Sequence, residues 1–418
     1  MGAGLALFFS PPSLFLRRAT GSLGAWRTGG NPPFSSEVDA MDGSTVQAGA
    51  ASRLQRLRSF LARDPENLQL IGDAVTAALD EGDDDAAAGL IQQYEKLAPL
   101  PPPLLNLKGL AALRQGRFEE AESIFSSLVK AGHDAAPVRF NLAWAKAMRA
   151  DHQGALDLLT DDVVAVGPRA ATLRLQMMHH LGQLDEALAD GRGYAELYPE
   201  DQALLGALAT LAIDAEEPEL ARVYAGQAGA SPDGLAAIGV LLLNDNRLDE
   251  SIGLFDRALE AAPESPRALL GKGLALVAGG DARSAGPLLE RGAEIFRDHP
   301  GSWLAAGWAR YLTGDLAGSR AQFEKALASD DSFAESHGAL AVIDLAQGDL
   351  PAARRRVEIA LRLDRNCFSA ALAKSMLLDQ EGDTRGAEAI RRRAMNVPAG
   401  VGGQTIAQAI VALGTSRR

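Results

Sequence analysis

Two adjacent histidines, a single cysteine and a dense run of acids are the residues of this chain whose types could do chemistry. His179 and His180 fall at the end of a helical segment. Neighbours on a helix point about 100° apart, so the pair cannot close on one metal ion from one face. Cys367 is the only cysteine, which excludes an internal disulfide and a cysteine-based zinc cage. Beside Phe368 it reads as a small buried hydrophobe. The run Asp80, Glu81, Asp83, Asp84, Asp85 lacks the alternating ligands and closing glutamate of a calcium loop and reads as a solvated turn. No phosphate-cradling glycine loop and no nucleophile elbow occurs; Gly279-Gly280 and Gly402-Gly403 read as turns. The sequence therefore offers no catalytic residue, metal site or cofactor site, and the chain reads as non-enzymatic.

The elements that carry these residues repeat. Ala87, Ala121, Ala155, Ala187, Ala221, Ser251, Ala285, Ser319, Ala353 and Ala387 mark one phase. Seven of the nine intervals are 34 residues, while Ala155 to Ala187 is 32 and Ala221 to Ser251 is 30. Such a period settles the architecture before any single motif is read. Within a unit such as Leu104–Val129, an apolar set at helical spacing (Leu104, Leu107, Ala111) gives way to Gln115-Gly116-Arg117. A second set follows: Phe118, Ala121, Phe125 and Leu128. The glycine supplies the left-handed turn that ends the first helix. Small residues such as Gly109 and Ala121 let the paired helices approach closely. Prolines such as Pro99, Pro199 and Pro263 end second helices.

LKGLAALRQGRFEEA at 107–121, NLAWA at 141–145 and GDLAGSRAQFEKAL at 314–327 resemble the tetratricopeptide repeat family over about residues 68–401. The resemblance implies an all-α fold, an α-α superhelix of about ten helix-turn-helix repeats with short terminal capping helices. The expected boundaries are a disordered leader at 1–45, an N-terminal capping helix at 46–67, the solenoid at 68–401 and a C-terminal capping helix and tail at 402–418. Units start near 68, 102, 136, 168, 202, 232, 266, 300, 334 and 368. Asp162 stands where a small apolar residue is expected, and Glu216-Glu217 replaces a turn glycine. With the two shortened intervals, this makes 155–235 the least regular stretch.

Composition narrows the class further. Apolar residues make up 47% of the chain and aromatics 5%, which suits close-packed Ala/Leu helices. A net charge of −13 argues against nucleic acid as the main partner. Basic residues are mostly arginine, read as the bias of a GC-rich, bacterial genome. Residues 1–36 contain no acid, and Pro11-Pro12 interrupts their apolar run. They read either as an organelle transit or export leader, or as sequence upstream of a true start at Met41. No run is long enough to span a bilayer, and the expected location is cytoplasmic, with export or organelle targeting as the alternative.

In the resembling family the first helix of each unit lines the inside of the superhelix and receives partners. The positions facing away from each unit's own core are mixed in the first half: Asn106, Arg114, Asn141, Arg169, Gln176 and His179, with an aromatic island of Phe140, Trp144 and Met148. In the second half they are apolar: Val240, Leu243, Leu270, Leu274, Leu304, Trp308, Tyr311, Val342, Leu345, Leu372 and Met376. The expected partner site is an apolar groove of Phe140, Trp144, Leu270, Leu274, Leu304, Trp308, Tyr311, Val342 and Leu345, suited to a helix or peptide. Two readings compete with it. Superhelical curvature can pack neighbouring first helices together and hide the face, or the stripe Ile406, Ile410, Val411, Leu413 can cover it or cap the last repeat. Asn106 and Asn141 lack the lysines that family members use to grip a chaperone's C-terminal carboxylate.

Charge is uneven along the chain. Residues 64–100 hold nine acids and one base, and residues 351–418 hold twelve bases and six acids, including Arg354-Arg355-Arg356 and Arg391-Arg392-Arg393. The triplets read as solvated ridges, with an acidic partner, an anionic lipid surface or head-to-tail self-association as alternatives. The sequence thus points to a protein-binding scaffold or adaptor; the alternative is an accessory subunit of an enzyme or of an envelope or polysaccharide assembly complex.

Overall fold

A computed structural model describes residues 52–297 and 299–396. Every regular element among them is a helix, and the described residues divide into two compact units, 52–181 and 182–396. The N-terminal unit contains α1 (Arg53–Leu61), α2 (Leu68–Asp80), α3 (Asp84–Leu97), α4 (Pro102–Arg114), α5 (Phe118–Lys130), α6 (Ala136–Met148), α7 (His152–Leu156), α8 (Asp161–Val164) and α9 (Pro168–His180). The C-terminal unit begins with α10 (Leu184–Leu197), α11 (Gln202–Asp214), α12 (Pro218–Gln227), α13 (Pro232–Asn244) and α14 (Leu248–Ala261). It continues through α15 (Pro266–Gly279), α16 (Ala282–Phe296), α17 (Pro300–Leu312), α18 (Leu316–Ser329), α19 (Ala334–Ala346), α20 (Leu350–Leu363), α21 (Phe368–Gln380) and α22 (Thr384–Met395). This is an all-α superhelix of paired helices. Two terminal expectations, the leader at 1–45 and the cap at 402–418, lie outside the described residues.

Local chemistry starts and stops each helix. Ser52 and Gln55 form a reciprocal capping box at α1, where two otherwise unpaired backbone donors are satisfied at once. Glu81, just past α2, accepts a third hydrogen bond from the Leu54 amide at 2.8 Å. First helices α4, α9, α13, α15 and α17 open with proline at their first position, where the missing N–H has no helical partner to lose. Between first and second helix the chain must reverse, and one residue there turns left-handed. That residue is glycine at Gly82, Gly116, Gly182, Gly280, Gly314, Gly348 and Gly382, but Ala150, Glu216 and Asn246 at the other three turns. The replacement anticipated at Glu216 therefore leaves the turn geometry intact.

Packing within a pair depends on one close approach. A Cβ added to Gly307 of α17 would meet the ring of Phe323 of α18 at 2.3 Å, and Phe323 itself is wholly buried. Gly239 stands in the same relation to Phe255. Irregularity is concentrated where the 32-residue interval falls: the second helix after α6 is broken into α7 and α8, five and four residues long. Asp162 lies in α8 and pairs with Arg139, so the expected departure at this site has an ionic rather than an apolar tie.

Neighbouring repeats are also joined by hydrogen bonds. Glu335 of α19 accepts from the Phe368 and Ser369 amides, at 2.6 and 3.0 Å, capping the first helix of the following repeat. Asp344, 3% exposed, accepts from Arg320 at 2.6 Å and Arg356 at 2.9 Å, so its charge is matched from the second helices α18 and α20.

Candidate functional site

The first helices present three positions per repeat that face away from the second helix. In the N-terminal unit this face is half-open: Asn106 and Leu110 on α4, Trp144 and Met148 on α6, and Gln176 and His179 on α9 are all partly exposed. Phe140 is buried at 3% and sets its ring 6.2 Å from that of Trp144, fixing the larger aromatic in place. Asn141 is buried as well. Polar amides and one anchored aromatic thus alternate along neighbouring helices.

The C-terminal unit is different: most positions expected to line an apolar groove are buried. Leu270, Leu274, Leu304, Val342 and Leu345 are buried, and Trp308 is 8% exposed. Together with Leu243 and Leu372 they belong to one continuous core. Trp308 packs edge-on against Phe323 at 5.1 Å and Tyr311 at 5.6 Å. Among the predicted site residues of this unit only Tyr311 is half-open, and burial raises its phenol pKa. The physical reason is contact between successive first helices: side chains that face away from one repeat's core enter the core shared with the next.

Exposed large apolar side chains lie elsewhere. Leu97, Leu197, Val223, Ile359 and Leu363 stand out from second helices, a feature the sequence reasoning missed. Ile359 and Leu363 occur four residues apart on one face of α20, a spacing that was the available signal.

The chemistry-bearing residues are structural in their surroundings. Asp83 caps α3 through the Ala86 amide at 2.9 Å, and Asp84 pairs with Arg114 at 3.0 Å. The acidic run is therefore partly bound into the fold rather than wholly a solvated turn. Cys367 Sγ accepts from the Ala370 amide at 3.4 Å, and burial pushes its thiol pKa well up. His180 stacks on His152 with ring centres 4.3 Å apart and planes 4° from parallel, while the His179 ring is tilted and farther off at 6.3 Å. Burial drives the His180 pKa down to about 3, with His152 and His179 adding to the effect. His152 is lowered too, by burial against the opposing pull of Asp151. Among the described residues no group of three or more His, Cys, Asp or Glu is placed to hold a metal ion.

The arginine triplets divide their work. Arg356 binds Asp344, Arg354 pairs with Glu381 and Arg391 with Asp379, while Arg355 and Arg393 point into solvent.

Comparison with known proteins follows the same geometry. The tetratricopeptide repeat profile matches residues 73–137, 106–161 and 236–302. No curated protein matches. Human IFIT1, solved as a dimer with PPP-AAAA, is 14% identical over 82% of this chain and 94% of its own, with a TM-score of 0.50. YrrB, described as a TPR protein with an unusual peptide-binding site, is 20% identical over 44% of this chain and 97% of its own, at a TM-score of 0.36. MamA from Desulfovibrio magneticus RS-1 is 20% identical over 40% of this chain and 96% of its own, at 0.35. The likeness to IFIT1 concerns the fold alone. The repeat frame, the paired helices with their small packing slots and the profile matches together identify tetratricopeptide repeats in this chain.

Proposed function

We propose that the chain is a scaffold that receives a protein partner along the first-helix face of its N-terminal unit. Repeats of this family serve protein interaction in general, typically without catalysis. The observation that carries the location is the contrast in exposure: Asn106, Trp144, Gln176 and His179 are partly open, while Leu270, Leu274, Leu304, Trp308, Val342 and Leu345 of the C-terminal unit are buried. Trp144, backed by buried Phe140, is an aromatic anchor held rigid before a partner arrives, which lowers the entropy lost on binding. The flanking amides suit the main chain of a peptide or the polar edge of a helix.

The test is affinity capture from native lysate with mass spectrometry, followed by binding measurements on the captured partner. Trp144→Ala removes the anchor and is expected to weaken binding by about 30-fold or more, the scale of a central aromatic hot spot. Gln176→Ala, which removes no aromatic packing, is expected to weaken it less. Unchanged affinity in both variants, with melting curves like the wild type, would place the partner on another face.

A further inference from the structure

We propose that the second-helix face of the last two repeats is a docking surface for an anionic lipid bilayer. Ile359 and Leu363 project from α20 one turn apart, 39% and 46% exposed. Arg355 lies one turn before them and Arg362 between them on the same solvent-facing side. Among the described residues Arg355 has no carboxylate partner, and the one partner of Arg362 there, Glu358 at 3.6 Å, is itself largely exposed. On the neighbouring second helix, α22, Arg385 and Arg393 are exposed and have no acidic partner among the described residues, beside the exposed pair Arg392–Glu388. Residues 350–395 hold ten bases against six acids, in a chain with 41 bases and 54 acids overall.

Charge complementarity selects the occupant. Ionic forces fade over about 8 Å at physiological salt, so this local excess, rather than the net charge of −13, governs what can approach the face. Ile359 and Leu363 are both exposed on this second helix. An apolar helix seats its side chains in a groove, whereas protruding aliphatics flanked by arginines can enter the headgroup layer of a bilayer. No helix among the described residues is long and apolar enough to cross a membrane; the contact proposed is peripheral.

The experiment is co-sedimentation of the full chain with phosphatidylglycerol-containing and pure phosphatidylcholine vesicles at low and high salt. Binding is expected to the anionic vesicles only, and to fall as salt rises. Each arginine neutralised near a charged surface weakens partitioning about fivefold, so Arg355→Gln with Arg362→Gln is expected to lower it about 25-fold. Ile359→Ser with Leu363→Ser is expected to lower it about tenfold. All four positions are exposed, and melting curves confirm that the variants fold. Absence of binding overturns the proposal, as does binding that the variants leave unchanged, which assigns it to another segment. Equal binding to neutral vesicles also overturns it. So does vesicle-independent capture of an acidic protein by this face, the competing occupant.

Discussion

The guanidinium of Arg267 grips the carboxylate of Asp214 through two hydrogen bonds, 2.8 and 3.2 Å long, across 53 residues of sequence. Asp214 ends α11 and Arg267 opens α15, so the tie passes over the whole α13–α14 repeat. Both side chains are less than a tenth exposed. The pair extends the C-terminal unit's contacts beyond nearest-neighbour repeats. Breaking such a pair from one side leaves an uncompensated buried charge and costs about 3–5 kcal/mol. Asp214→Asn is expected to lower unfolding stability on that scale, and Asp214→Leu with Arg267→Met to recover most of the loss. Denaturant melts of the three chains check this; a wild-type midpoint for Asp214→Asn contradicts it.

Acid sensitivity follows from the buried imidazoles. Burial holds His180 near 3 and His299 near 4, against an ordinary 6.5. The folded state therefore binds fewer protons than the unfolded chain below that value. Their contribution is complete above pH 6.5 and is lost as pH falls toward 4 and then 3, at up to about 1.4 kcal/mol per unit for each group. Melting temperature is expected to drop between pH 6.5 and 5, above the carboxylate range. His180→Phe keeps a ring against His152 and is expected to flatten the profile. His299 caps α17 through the Ser302 amide, and His299→Asn keeps a capping acceptor while removing the proton site. A profile unchanged in both variants refutes the assignment.

Ala150 and Glu216 hold φ of 64° and 61°, where a Cβ crowds the following carbonyl. Glycine relieves that crowding but adds freedom to the unfolded chain. The net expectation for Ala150→Gly or Glu216→Gly is a gain of roughly 0.5–1 kcal/mol, read as a raised denaturation midpoint. Asn246 tolerates the same geometry better, and Asn246→Gly is expected to change little.

Trp308 is a core residue here. Trp308→Ala is expected to destabilise the C-terminal unit by about 3–5 kcal/mol, the range for deleting a large buried ring. Differential scanning calorimetry reads the loss. Unchanged stability with lost partner binding is the opposite result, the one a bare groove requires.

Much of the architecture was legible because it rests on local rules. Gly307 and Phe323 had to be small and large for two helices to touch, and Gly116 or Gly314 had to mark a reversal. What was not legible depends on where distant segments meet. Periodicity assigns Trp308 to the face away from its own repeat's core, but says nothing of what covers that face. His152 finds His180 only because the second helix after α6 breaks into α7 and α8. The Asp214–Arg267 pair has no trace in a 34-residue frame, since it crosses the frame. Ile359 and Leu363 carried a helical spacing that reads equally well as core.

The carboxylate of Glu335 belongs by sequence to one repeat and by hydrogen bonding to the start of the next. The smallest exchangeable cassette is therefore offset from the 34-residue period: it runs from the acid to the amides it satisfies, Glu335 to Ser369. A chimera joined at residue 367 severs donor from acceptor, whereas one joined in the exposed turn near Gly314 or Gly382 keeps both on the same side of the junction.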